Sequence, residues 1–260
     1  MAARFTFGAS SIDIPPPPFP PGAALYMQQR LAGVDLLQPS DACAADEPSA
    51  DDSGQQLVAS TAHRVWPCSR ALAAALLSPP QIIDCRGLTV LELGSGCGLP
   101  GLAAWRAGAS AVWLTDLPEN VARLREVTQH NHGASGCVRV EPLDWTQPLP
   151  PAIVQTRFDL VLGADIVFWP ALFDPLLTVL AGLNGSPRIL LAIANRLGRG
   201  DDFERRAASH GWRLHELPVQ SDASDDARQE RVEPLREPPP RLVEMLSLRR
   251  ATATTHGEPE

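Results

Sequence analysis

The sequence lacks lysine altogether: its 260 residues carry 22 side chains in the Lys+Arg count, and all of them are arginines. This absence excludes a P-loop, because that motif uses a lysine to reach the phosphates of a nucleotide. Schiff-base chemistry, pyridoxal anchoring and a lysine general base on this chain are excluded as well. The chain is also rich in alanine, arginine and proline, so a GC-rich coding bias suffices to explain the missing lysine.

Other absences limit the class of protein further. The five cysteines are odd in number and form no CxxC pair, which argues against a zinc knuckle or a redox motif. Such cysteines are typical of reduced thiols, and we expect a cytoplasmic protein, with the nucleus as a second location. There is no apolar run of about 18 residues and no pattern of a signal peptide, so no membrane span is expected. The net charge of -8 argues against bulk electrostatic binding of nucleic acid.

The composition divides the chain into three regions. Residues 1–60 are rich in proline and acidic residues, with a run PPPPFPP at 15–21 that favours polyproline II. We expect residues 1–60 to be largely disordered or peripheral. Residues 61–250 are expected to form the folded domain, and residues 251–260 a flexible tail.

Within the folded domain, strand patterns alternate with helical patterns. Strands are expected at 88–93, 111–115, 138–142, 158–163, 188–194, 212–217 and 242–248. Helices are expected at 69–77, 99–107, 118–130, 170–181 and 201–210. A weak stretch at 221–240 is expected to be a long loop between the last two strands. Strands separated by helices indicate a mainly parallel sheet covered on both faces.

The strongest pattern for function is VLELGSGCGLPG at 90–101, where a buried strand ends at glycines that open a helix. Glycine allows a sharp turn and lets a ligand approach the backbone without a Cβ in the way. The N-terminus of the helix then offers free N–H groups to a polar ligand. Gly94 and Gly96 are therefore expected to contact a cofactor.

Two cofactors compete for this loop. Gly96, Gly98 and Gly101 match GxGxxG, and Asp116 follows Gly96 at the 20-residue spacing of dinucleotide sites. The alternative is S-adenosylmethionine (SAM), which carries a cationic sulfonium and amino group and has no pyrophosphate. A carboxylate at Glu92, on the strand end before the loop, would attract SAM and repel a phosphate, and it favours SAM.

Two further segments follow predicted strands. In LTDLPE, Asp116 ends the second strand, where a carboxylate can accept hydrogen bonds from both ribose hydroxyls of a nucleoside cofactor. In EPLDW, Asp144 is placed to accept the adenine amino group, and Trp145 to cover the ring. A tryptophan at a strand end is also common in simple core packing.

The fourth segment, FDLVLGADIVFWP at 158–170, contains the candidate catalytic residue. Asp165 follows a hydrophobic strand, at the carboxyl edge where open α/β sheets place their sites. A carboxylate there can orient a cationic amine or take its proton. His130 and His132 lack acidic or cysteine partners at ligand spacing, so no metal site is expected.

In this order, the four motifs resemble those of class I seven-strand SAM-dependent methyltransferases, and more narrowly the methyltransferase-like protein-lysine methyltransferases. RVWPCS at 64–69 resembles the family segment whose tryptophan lies against the cofactor, which implies a SAM contact for Trp66. LDW resembles the family's Leu-x-Trp at the adenine side. GADIVF resembles its Ala-Asp-Val-Val-Tyr motif, which implies a cofactor contact for Ala164 and a catalytic role for Asp165.

The resemblance covers about residues 62–250 and implies a Rossmann-like α/β fold. The expected sheet has seven mostly parallel strands, helices on both faces and an antiparallel last strand. The implied activity is methyl transfer from SAM to a lysine side chain of a protein substrate, by an enzyme expected to be a monomer.

Two departures leave the acceptor open. Phe168 stands where the family has tyrosine, and Tyr26 is the only tyrosine of the chain. The strand VEML at 243–246 also resembles a relative that methylates arginine. The alternatives are therefore a protein-arginine methyltransferase of the same fold, a NAD(P)-dependent oxidoreductase using GxGxxG, and a non-catalytic binding protein.

Overall fold

A central β-sheet organises the part of the chain that the structure describes. The computed structural model describes residues 3–7, 10–14, 26–31, 34–39, 62–132, 136–218 and 239–247. Its strands are β1 (Ala3–Phe7), β2 (Ser10–Ile14), β3 (Tyr26–Leu31), β4 (Val34–Pro39), β5 (Thr89–Leu93), β6 (Ala111–Asp116), β7 (Val138–Pro142), β8 (Leu160–Ala164), β9 (Arg188–Ile193), β10 (Trp212–Glu216) and β11 (Arg241–Ser247).

The helices lie between these strands in the sequence. They are α1 (Pro67–Leu77), α2 (Leu99–Arg106), α3 (Pro118–His132), α4 (Pro151–Gln155), α5 (Phe173–Gly182) and α6 (Arg199–Ser209). Two short 3-10 helices, Pro170–Leu172 and Arg196–Gly198, precede α5 and α6. No helix in these described ranges is long and apolar enough to cross a membrane.

Seven strands form the central sheet in the order β10-β11-β9-β8-β5-β6-β7. The five strands from β9 to β7 in this order run parallel to their neighbours. The last strand of the chain, β11, is antiparallel to both β9 and β10. The predicted seven-strand, mostly parallel sheet with an antiparallel last strand is confirmed.

Side chains alternate across each strand, so each buried strand contributes to two cores. In β5, Val90 belongs to a first core that includes residues of α1, α2 and α3. Leu91 and Leu93 belong to a second core with residues of α4, α5 and α6. Both faces of the sheet are therefore covered, which explains why the central strands read as continuous apolar runs.

One predicted helix is divided by a proline. A single helix was expected at 170–181, but a 3-10 helix over Pro170–Leu172 precedes α5. Pro175 has no N–H to donate to the carbonyl of Ala171, and its ring would clash with that carbonyl in a continuous α-helix. With the α-helix beginning at Phe173, the proline lies in the first turn, where its missing N–H has no cost.

The described strands of the N-terminal region form two β-hairpins, β1–β2 and β3–β4, where the sequence predicted a largely disordered or peripheral segment. Ile12 of β2 is fully buried in the first core, and β2 lies against α2 and α3. The segments ARFTF and SSIDI both alternate apolar and polar residues, which is the pattern of a half-buried strand. The proline run, the tail, and the loop at 221–240 apart from its last two residues lie outside the described residues.

Candidate active site

Four neighbouring strands bring the sequence motifs to one edge of the sheet. β8, β5, β6 and β7 are adjacent and parallel, so their carboxyl ends meet at the same edge. A cavity of about 220 Å³ lies there, lined also by the segment before α1. The sequence-predicted residues that line it are Trp66, Gly94, Gly96, Asp116, Asp144, Trp145, Ala164 and Asp165.

The glycine loop after β5 has a backbone that other residues rarely adopt. Gly94 and Gly96 have φ angles of +60° and +52°. A Cβ on Gly94 would lie 2.8 Å from Cγ2 of Ile166 and 3.4 Å from the ring of Trp145. A Cβ on Gly96 would lie 3.1 Å from the carbonyl oxygen of Ala62. The loop therefore needs glycine both for its φ angles and for the close approach of neighbouring segments.

Asp116 joins the end of β6 to this loop. Its Oδ2 accepts a hydrogen bond from the N–H of Gly96 at 2.7 Å. Its Oδ1 accepts from the N–H of Leu117 at 2.8 Å and from Nδ2 of Asn120 at 2.7 Å. Burial raises the pKa of Asp116, and these three donors oppose that shift. Because a carboxylate has about four lone-pair sites, Asp116 retains capacity for the hydroxyls of a ribose.

The adenine side of the predicted site follows β7. Oδ1 of Asp144 accepts hydrogen bonds from the N–H and the hydroxyl of Thr146, at 2.9 and 2.7 Å. This short turn fixes Asp144 at the cavity. The ring of Trp145 lies against Gly94 and packs against the second core.

Glu92 does not line the cavity. It shares a strand face with Val90, so its side chain points under α2, where Oε2 accepts the N–H of Gly101 at 3.0 Å. Burial raises the pKa of Glu92 to about 8. A carboxyl that is largely protonated near pH 7 supplies little attraction for a cationic cofactor, so the electrostatic argument made from the sequence does not fit this position.

Gly101 explains the place of Glu92 in the fold. A Cβ on Gly101 would lie 2.3 Å from Cδ2 of Leu114 and 2.6 Å from Oε2 of Glu92. The third glycine of GxGxxG therefore serves the close packing of α2 on the sheet.

Asp165 lies at the end of β8, with a φ of +61° and a side chain that is 7% exposed. Both of its carboxylate oxygens contact the guanidinium of Arg196, with Nη2 to Oδ2 at 3.0 Å and a second contact from Nη1 to Oδ1. The sequence reasoning missed Arg196. A basic residue just after β9, at the same edge of the sheet, was the signal that could have found it.

Aromatic side chains form another part of the cavity wall. Trp66, at the N-cap of α1, has the guanidinium of Arg64 at 4.6 Å and that of Arg196 at 5.2 Å from its ring centroid. Phe168 and Trp169 line the same cavity, beyond Asp165 in the sequence. Phe168 offers no hydroxyl where the family motif has tyrosine. Among the described residues, no group of three or more His, Cys, Asp or Glu side chains is placed to hold a metal ion.

Comparisons with known proteins agree with the resemblance of the motifs. Residues 51–209 match the family model described as lysine methyltransferase. EEF1A lysine methyltransferase 3 of Mus musculus is 35% identical over 155 residues, which are 59% of this chain and 65% of that protein. Protein N-lysine methyltransferase METTL21A of Danio rerio is 36% identical over 124 residues, 46% of this chain and 56% of that protein. The chain thus spans less than two thirds of the length of these two curated relatives.

A relative with a different acceptor in its name is also similar. Histone-arginine methyltransferase METTL23 of Rattus norvegicus is 30% identical over 173 residues, 62% of this chain and 72% of that protein. Among solved structures, the mitomycin 7-O-methyltransferase MmcR matches with a TM-score of 0.52 at 16% identity, over 76% of this chain and 58% of that one. This structural likeness supports the fold alone.

Proposed function

Because the chain belongs to the lysine methyltransferase family, we propose that it transfers a methyl group from SAM to a lysine side chain of a protein substrate. One observation carries this proposal: the glycine loop, Asp116 and Asp165 line a single cavity at the carboxyl edge of the sheet. A nucleoside site and a carboxylate for an amine are thus neighbours, as methyl transfer requires.

The residues of the cavity fit SAM. The loop backbone at Gly94 and Gly96 forms a cradle without Cβ atoms, with the N-terminus of α2 behind it. Asp116 is placed for the ribose hydroxyls, Asp144 for the adenine amino group and Trp145 for the ring face. SAM supplies an activated methyl group on a cationic sulfonium when it is bound. Aromatic faces such as that of Trp66 favour a cation at this distance scale.

The rest of the chemistry concerns the acceptor. A free lysine has a pKa of about 10.4, so its amine must lose a proton before it can attack. Removal from water in a cavity with Phe168 and Trp169 in its wall lowers the pKa of an amine. Asp165 accepts a hydrogen bond from that amine and directs its lone pair; since Arg196 already engages both carboxylate oxygens, orientation suits Asp165 better than proton uptake.

An arginine acceptor is the second candidate, favoured by the similarity to METTL23 of Rattus norvegicus over 72% of that protein. The names of the relatives contain EEF1A and histone, which we propose as the first acceptors to test. We further propose a monomer of the cytoplasm and nucleus that binds neither nucleic acid nor membranes, on the basis of its reduced-type cysteines and net charge of -8.

The test is incubation with labelled SAM and, in separate reactions, EEF1A, histones and a cell extract, followed by mass spectrometry of labelled peptides. We expect methyllysine, and we expect D165A to lose about 100-fold or more in turnover while its SAM affinity is retained. D174A is the matched control, because Asp174 also contacts both terminal nitrogen positions of an arginine fork, that of Arg206, away from the cavity. Normal turnover of D165A would remove the assigned role; methylarginine alone would favour the second candidate.

A further inference from the structure

Arg196 connects two walls of the cavity without lining it. It lies in the short 3-10 helix after β9, and 31 positions separate it from Asp165 in the sequence. Its guanidinium contacts both carboxylate oxygens of Asp165 and also lies over the ring of Trp66, 5.2 Å from the centroid. Asp165 and Trp66 are both cavity residues, whereas Arg196 is not among the residues that line it. Any effect of Arg196 on the reaction therefore acts through these two neighbours.

The backbone is strained at both ends of this contact. In the described part of the chain, Asp165 and Leu197 are the non-glycine residues with positive φ, at +61° and +52°. A left-handed conformation costs an L-residue about 1 to 2 kcal/mol, and it persists where the surroundings hold it in place. One residue carries the carboxylate of the pair, and the other directly follows the arginine. The two strained positions thus set the two partners against each other.

The geometry of the contact restricts the carboxylate. A guanidinium is a planar fork whose two terminal nitrogens match the two oxygens of a carboxylate, and such a pair fixes the rotation of both groups. The side chains of Arg196 and Asp165 are 23% and 7% exposed, so water competes little for this contact. Trp66 limits the guanidinium further, because Arg64 lies over the same ring at 4.6 Å.

We propose that Arg196 is a positioning residue for methyl transfer, which holds the Asp165 carboxylate in the orientation that receives the acceptor amine. This inference rests on the proposed function of Asp165. A displacement of about 1 Å at a reacting centre can cost about 100-fold in rate. Loss of the fork is therefore expected to reduce kcat, while the residues that bind SAM remain in place.

The experiment compares R196Q, R196K and R206Q with the wild type and with D165A, using EEF1A and histones as acceptors. R206Q is the matched control, because Arg206 forms the same kind of fork with Asp174 on α6, away from the cavity. We expect kcat to fall about 10- to 100-fold in R196Q, with SAM affinity and acceptor KM within about threefold of wild type. R196K keeps the charge but not the fork, and its kcat should lie between those of R196Q and the wild type. R206Q should match the wild type.

Several outcomes would overturn the inference. Wild-type kcat in R196Q removes the positioning role, and so does a parallel loss of melting temperature and SAM affinity that R196K does not restore. R196K would carry the only lysine of the 260 residues. Its methylation on itself would place residue 196 in the position of the acceptor, contrary to our proposal. If the wild type methylates no lysine, the proposed function fails; if D165A is inactive and R196Q is not, only the role of Arg196 fails.

Discussion

At the scale of single residues, Asp116 combines a ligand contact with a structural one. Its carboxylate faces the cavity and also accepts the N–H groups of Gly96 and Leu117. Removing a charged hydrogen-bonding partner costs about 1.5 to 3 kcal/mol, which corresponds to a loss of about 10- to 150-fold in affinity. We expect D116A to weaken SAM binding by this amount and to lower the melting temperature, because buried donors lose their acceptor.

Calorimetry with SAM and thermal unfolding measure the two effects of D116A separately. D159A is the control: Asp159 accepts the N–H of Thr89 at 2.9 Å, and it does not line the cavity. This control should lose some stability and keep its SAM affinity. An unchanged SAM affinity in D116A would remove Asp116 from the ribose assignment.

Glu92 predicts a pH dependence of stability rather than of binding. Burial raises its pKa from the usual 4.5 to about 8. Between these values the native chain binds more protons than the unfolded chain, so this contribution to the free energy of unfolding falls as the pH rises. It is fully present below a pH of about 4.5 and is lost as the pH passes the native pKa. The loss amounts to a few kcal/mol at most, about 1.4 kcal/mol for each pKa unit.

E92Q tests this dependence, because glutamine keeps an oxygen for the N–H of Gly101 and does not titrate. We expect the difference in unfolding free energy between wild type and E92Q to decrease from about pH 5 to about pH 8.5. Urea unfolding at several pH values measures it. A constant difference over this range would show that Glu92 is not the buried titrating group.

At the scale of elements, the glycine loop between β5 and α2 has a conformation that its sequence requires. Gly96 and Gly87 both have positive φ, +52° and +76°, but only Gly96 approaches another segment, and no atom lies within 4 Å of a Cβ placed on Gly87. Alanine in this conformation costs about 1 to 2 kcal/mol at either site. We expect G96A and G87A to lose similar stability, and G96A alone to lose about tenfold or more in SAM affinity. Equal SAM affinities in the two variants would show that the loop does not hold the cofactor.

The sequence predicted the elements that have a strong apolar pattern. The bounds of β7 agree with the prediction, and those of the other sheet strands differ by one or two residues, because apolar runs between glycines mark buried strands well. The helix α4 was not predicted, since its five residues are too few for a helical period. The hairpin β1–β2 was missed because the proline run after it dominated the interpretation of the region.

The site was predictable where each residue follows its own strand. Asp116, Asp144 and Asp165 all follow parallel strands, so strand order alone brings them to one edge. Glu92 was placed wrongly at the cofactor, although the period of two in β5 puts it on the face of Val90. The contact between Arg196 and Asp165 depends on a turn and a tertiary pairing across 31 positions, which local patterns do not encode.

At the scale of the whole molecule, the chain separates stability from chemistry. Both faces of the sheet are packed into cores, and the charged groups assigned to function lie at the carboxyl edge. The acidic balance, a net charge of -8, is compatible with basic acceptor proteins and unfavourable for nucleic acid. Substrate choice therefore depends on the surfaces around this one edge, while the core sets only the fold.

The absence of lysine from the 260 residues gives a whole-molecule prediction about product analysis. Labelled SAM and the purified chain alone should yield no methyllysine after total hydrolysis, because the chain offers no lysine side chain. When EEF1A or histones are added, every labelled methyllysine then belongs to the acceptor, without any correction for self-modification. Methylarginine in the sample without acceptor would contradict the lysine assignment, because the 22 arginines of the chain would then be its own substrates. The same amino-acid analysis thus distinguishes the two candidate acceptors before any substrate protein is known.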